Sequence, residues 1–165
     1  MNSWIYEFAH TTEVVWARDI FLGAIMLKIK KELVLYCDGR CEGIGDSALG
    51  SYAYVIYFGS EKIMDGSGKV GYGRDITANV AEYVAVLRGL EALCTAGYTG
   101  QPLLVRSDSR IVMQQLGMLC AVRSKRLLKW WYLVRELAKE FDISFEWIPR
   151  AWNKEADKRV RHEKI

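Results

Sequence analysis

Hydrophobic positions change their period several times along this chain, and each change marks an element. Leu33-Val34-Leu35-Tyr36-Cys37 is a continuous apolar run that ends at Asp38, the pattern of a central strand covered on both faces. Gly39, Gly43, Gly45 and Gly50 follow as a turn-rich link. Ser51 to Phe58, dense in Tyr, Val and Ile, predicts a second strand, and Glu61 to Val70 a third, weaker one broken by Gly66 and Gly68. Three strands in succession imply an antiparallel meander.

The period then turns helical. Thr77 is placed to cap a helix whose apolar stripe, Val80, Tyr83, Val84, Leu87, Leu90 and Cys94, stops at Gly97. Leu103-Leu104-Val105 reads as a buried strand leading to Asp108, after which Ser109 is expected to cap a short helix through Ile111, Val112, Gln115 and Leu116. Leu127, Trp131, Val134 and Ala138 define a longer amphipathic helix from about Ser124 to Glu140. Ile143, Phe145 and Trp147 alternate with Ser144 and Glu146 as a fifth strand closed by Pro149, and a last helix begins near Asn153.

Residues 1–30 stand apart. Trp4, Ile5, Phe8, Trp16, Ile20, Phe21 and Leu27 suggest an N-terminal helical extension that either packs on the domain or binds a partner, and Met26 is a candidate internal start. Residues 31–165 form the expected catalytic domain, since 165 residues suit one domain better than two.

Composition narrows the class without choosing the function. With 51% hydrophobic and 26% charged residues the chain has the make-up of an ordinary globule. Its longest apolar stretch, Ile20 to Leu27, is far short of a bilayer span, and no secretory signal pattern is present. A net charge of +3 suits a polyanionic partner but does not require one. Cys37, Cys41, Cys94 and Cys120 lack the paired spacing of a zinc site. Reduced, mostly buried thiols and a cytoplasmic location without membrane attachment are expected.

Four acids carry the candidate chemistry. Asp38 and Asp108 fall at the carboxyl ends of strands, and Glu82 and Asp157 in the first turns of helices. Right-handed crossovers would bring both strand ends to one sheet edge, where open sheets bind ligands. Taken singly, each acid has a structural explanation as a turn, cap or solvated helix residue. Together, four carboxylates at one edge would raise one another's pKa unless divalent cations neutralised them.

The ordered set of motifs resembles the ribonuclease H type 1 family. The pieces are Tyr36-Cys37-Asp38-Gly39; Thr77-Ala78-Asn79-Val80-Ala81-Glu82-Tyr83 followed by Gly89-Leu90-Glu91-Ala92; Ser107-Asp108-Ser109; and Asn153-Lys154-Glu155-Ala156-Asp157. The resemblance implies an α/β, ribonuclease H-like fold, with a mixed five-stranded sheet of three antiparallel then two parallel strands flanked by helices. It also implies that Asp38, Glu82, Asp108 and Asp157 are both catalytic residues and ligands of two Mg²⁺ ions, with Mn²⁺ as a substitute. The implied activity is endonucleolytic cleavage of the RNA strand of an RNA/DNA hybrid, leaving 5′-phosphate and 3′-hydroxyl ends.

Thr77 and Asn79 match family positions that contact nucleic-acid backbones, whereas Ala78 stands where an asparagine is usual. The basic, tryptophan-containing protrusion of many members is missing between Asp108 and Asp157, and Arg123, Lys125, Arg126 and Lys129 are the candidate replacements for its phosphate contacts. Trp130 and Trp131 fit better as core. The loop before the last acid, Arg150-Ala151-Trp152, lacks the histidine many members carry, and His162 is not at the matching position. The expected partner is an RNA/DNA hybrid, with double-stranded RNA as a second candidate, and the expected state is a monomer. A non-catalytic nucleic-acid-binding module of the same fold is the alternative, and a recombinase or transposase domain a third.

Overall fold

The computed structural model describes residues 32–162. The extension expected over residues 1–30, with Met26, lies outside the described residues. Five strands form one sheet: β1 (Leu33–Glu42), β2 (Leu49–Phe58), β3 (Glu61–Tyr72), β4 (Pro102–Ser107) and β5 (Asp142–Trp147), in the order β3-β2-β1-β4-β5. β1 pairs antiparallel with β2 and β2 with β3, while β4 runs parallel to β1 and β5 parallel to β4. The mixed sheet inferred from the motifs is therefore present, with β1 at its centre. Four helices connect and cover it: α1 (Ala78–Thr95), α2 (Arg110–Leu116), α3 (Lys125–Ala138) and α4 (Lys154–His162).

Alternation along β1 divides the molecule into two faces. Leu33, Leu35 and Cys37 join the buried core with Val80, Tyr83, Val84, Leu87 and Leu90 of α1, and Leu127 and Val134 of α3 close that layer. Val34 and Tyr36 point to the other face, where α4 packs through Ala156 and Val160, both buried. Helix α1 starts where expected, with Thr77 Oγ1 accepting from the Val80 amide at 3.3 Å. Its last residue, Thr95, is followed by Ala96 as cap and Gly97, whose φ of 80° supplies the left-handed stop.

Several local expectations are corrected. β1 does not end at Asp38 but continues to Glu42 as a two-stranded ribbon with β2, which itself begins at Leu49. The glycines assigned to a link thus lie partly inside strands. Gly66 and Gly68 do not break β3. They face Tyr54 and Tyr52 across the ladder, and a Cβ at either would collide with those rings, so the glycines make room for cross-strand aromatics. Ser109 precedes α2 but makes no capping hydrogen bond through its hydroxyl; instead Ser107 Oγ accepts from the Ser109 amide at 3.0 Å.

Of the thiols only Cys37 is buried. Cys41, Cys94 and Cys120 are half-buried, and all four are unpaired. Trp130 and Trp131 pack half-buried against the core, with Trp131 Nε1 donating to the Gln115 carbonyl at 3.1 Å. Among the described residues no helix is long and apolar enough to cross a membrane.

Candidate active site

The parallel pairing of β1 with β4 stops at Cys37 and Ser107, and the next residue of each chain segment is Asp38 and Asp108. β4 ends there, whereas β1 runs on beside β2. This is a switch point, where a sheet opens a crevice at the carboxyl ends of its strands. Asp38 enters the crevice from the α4 side of the sheet, and Glu82 enters it from α1. One carboxylate oxygen from each of Asp38, Glu82 and Asp108 lies within 4.8 Å of the others.

The approach of Glu82 depends on Gly39. A Cβ on Gly39 would overlap the Glu82 amide nitrogen and the Ala81 carbonyl carbon, so the missing side chain lets α1 lie directly against β1. The Gly39 amide and Ser107 Oγ, the latter at 3.2 Å from Oε2, hydrogen-bond the Glu82 carboxylate. Asn153, just before α4, fixes Asp108. Its Nδ2 donates to Asp108 Oδ1 at 3.1 Å and to the Cys37 carbonyl at 2.8 Å. Trp147 Nε1 donates to the Asp108 carbonyl at 3.1 Å.

Electrostatics follow from this crowding. Asp38 is 5% exposed, and its carboxyl is pushed up to about 7, first by burial and then by the charges of Asp108 and Asp157. Burial, then Asp38 and Asp108, pushes Glu82 well above the carboxylate range despite its two hydrogen bonds. Three oxygen donors at such spacing, two of them reluctant to ionise, match the hard, anionic cradle a divalent cation requires. The residues present therefore fit a metal ion.

Asp157 behaves differently. It stands on α4 near enough to raise Asp38, but its carboxylate is engaged by Arg150 and by Arg161, whose Nε lies 3.0 Å from Oδ2. Burial pushes Asp157 up, and the bonds from the two arginines outweigh it, so its pKa is lowered. The structure thus brings three of the four acids into one cluster and places the fourth beside it in an arginine clasp. The motif pattern gave no signal for that clasp, although Arg150 and Arg161 lie seven residues before and four after Asp157 in sequence.

The remaining candidates lie outside the acid cluster. Thr77 and Asn79 open α1, half-buried. Arg123, Lys125, Arg126 and Lys129 are exposed at the start of α3; Arg126 pairs with Asp75 at 3.2 Å, and Lys129 Nζ sits 4.9 Å from the centre of the Trp130 ring. His162 is exposed at the end of α4.

Residues 37–163 match the family model described as reverse transcriptase-like. The N-terminal ribonuclease H domain of a Mycobacterium tuberculosis protein aligns with a TM-score of 0.70 at 28% identity, covering 79% of this chain and 91% of that one. The chain belongs to the ribonuclease H type 1 family. Ribonuclease H1 of the archaeon Halobacterium salinarum aligns with a TM-score of 0.69 at 28% identity, over 79% of this chain and 95% of that one. LC11-ribonuclease H1, from a compost metagenome and solved with an RNA/DNA hybrid, gives 0.71 at 26% identity over 80% and 96%. Among curated proteins, a bifunctional M. tuberculosis protein is 32% identical over 128 residues, or 77% of this chain. The chain spans about a third of that relative's length, 34%.

Proposed function

We propose that this ribonuclease H domain is an endonuclease that hydrolyses the RNA strand of RNA/DNA hybrids, with two Mg²⁺ ions as cofactors and Mn²⁺ as a substitute. The observation that carries the proposal is the convergence of Asp38, Glu82 and Asp108 at the β1/β4 switch point. The hybrid bound by LC11-ribonuclease H1 supports the choice of substrate.

Each residue has a role in that reaction. Asp38, Glu82 and Asp108 would hold the cations, with Asp157 completing the set. When bound, two metal ions supply an activated water and neutralise charge on the departing 3′ oxygen. Gly39 N–H and Ser107 Oγ orient the Glu82 carboxylate, and Asn153 orients Asp108. Arg150 and Arg161 keep Asp157 ionised at the rim. Thr77 and Asn79, with the exposed Arg123, Lys125, Arg126 and Lys129, contact the nucleic-acid backbones. Cleavage leaves 5′-phosphate and 3′-hydroxyl ends, the protein acts as a monomer in the cytoplasm, and double-stranded RNA is a second candidate partner.

The test is cleavage of an end-labelled RNA/DNA hybrid beside single-stranded RNA, duplex RNA and duplex DNA, with Mg²⁺, Mn²⁺ or chelator. Metal-dependent cutting of the hybrid's RNA strand is expected. Binding of the hybrid without cutting under either metal would instead favour a non-catalytic module.

A further inference from the structure

On the α4 face of the sheet, the same face from which Asp38 enters the crevice, lies a cavity of about 340 Å³. Its floor includes Val34, and its walls are built from Tyr36, Tyr57, Arg106, Trp152 and Asn153. Tyr36 and Arg106 sit one strand repeat before Asp38 and Asp108, so the cavity adjoins the acid cluster without sharing its carboxylates. Of its walls the mechanism above uses only Asn153, through its bond to Asp108.

Two features define what it would take. Trp152 is 72% exposed, an indole of that size left in solvent at the mouth of a half-open cavity. Arg106 spends Nε on Glu146 at 2.6 Å and Nη1 on Tyr36 at 3.0 Å, which leaves Nη2 without a partner among the described residues. Asn153, 1% exposed, has both Nδ2 bonds inside the protein, to the Cys37 carbonyl and Asp108 Oδ1, and its amide is sealed behind the cavity wall rather than open to a ligand.

We propose that this cavity binds an unpaired nucleobase, stacked on Trp152 with its edge toward Arg106. A flat ring meets the indole, and the remaining Arg106 donors complement the acceptor that every base edge carries. The base is supplied either by a free nucleotide or by an unpaired end of the nucleic acid bound at the acids. The second source rests on the function proposed above; the first does not.

The experiment is equilibrium dialysis of the full chain, in chelator, against labelled adenosine and cytidine 5′-monophosphates, with ribose 5-phosphate as the base-free control. Both nucleotides are expected to bind at concentrations up to about 5 mM, the weak range suited to a half-open site, and ribose 5-phosphate is not. Trp152→Ala should weaken uptake by roughly fivefold or more, the lower end of what base stacking contributes. Ser60→Phe, which fills the cavity's rim, should block it. Equal uptake of ribose 5-phosphate, no uptake of either nucleotide, or unchanged uptake in both variants would overturn the proposal. A second arm compares blunt hybrid with hybrid carrying a short unpaired overhang, again in chelator so that cleavage is not needed. Tighter binding of the overhang only with Trp152 present identifies the substrate end as the source; equal binding alongside nucleotide uptake identifies a free nucleotide, and both support the base site.

Discussion

Gly39 and Glu82 meet backbone to backbone, with no room for a methyl group between them. That contact sets the distance from β1 to α1 and thereby delivers the Glu82 carboxylate to Asp38. Gly39→Ala is expected to destabilise the fold by about 1–3 kcal/mol or more, the usual cost of overpacking against backbone that cannot yield. It should also push Glu82 out of the cluster. Urea unfolding and hybrid cleavage measured on the same preparation would check both; a variant with wild-type values in each would mean that the two segments are not in contact.

Asp38→Asn should abolish metal-dependent cleavage yet raise thermal stability at pH 8 in chelator. The substitution keeps the shape and removes a charge that burial and its neighbours oppose. A melting temperature below that of the wild type under those conditions would contradict the crowding described for the site.

The metal-free protein should lose stability as pH rises. Because the Asp38 carboxyl is raised from 3.8 to about 7, the folded state holds a proton over that interval which the unfolded chain has released. The resulting stabilisation is full below the unfolded value and gone once the pH passes the folded one. Glu82, raised by the same causes, adds in the same direction. A divalent cation binds the deprotonated acids, so Mg²⁺ should increase the melting temperature more at pH 8 than at pH 5. Melting curves at several pH values with and without Mg²⁺ test this, and a larger effect at pH 5 would exclude a metal site at these residues.

Arg150→Ala removes half of the clasp on Asp157. The Arg150 side chain is 63% exposed, so the change in stability should stay within roughly 1 kcal/mol. Hybrid cleavage should nonetheless fall by roughly 10- to 100-fold, since Asp157 loses its orientation. Unchanged kcat would show that the clasp is not part of the catalytic arrangement.

Much of this was legible in the sequence because burial dictates it. The two-sided apolar run before Asp38, the stripe of α1 and the alternation of β5 each follow from what a sheet or helix must hide, and the acids stood out because they interrupt those runs. The continuation of β1 to Glu42 was hidden by glycines that normally signal turns; here a close approach to α1 and a ribbon with β2 claim them. The arginine clasp was equally hidden, because Arg150 and Arg161 read as solvated charge until α4 is placed against the sheet. The buried, half-satisfied amide of Asn153 also needed coordinates, since a motif shows that an asparagine is present and not which of its atoms lacks a partner.

The Asn153 bond to the Cys37 carbonyl joins positions 116 residues apart. Contacts of that range form late, after the entropy of closing the loop has been met by shorter ones. During synthesis, β1 to β4 can assemble before the segment that steadies Asp108 exists. The acid cluster is therefore finished only when nearly the whole domain has been made, and a ribosome-bound nascent chain carries its carboxylates without their final brace.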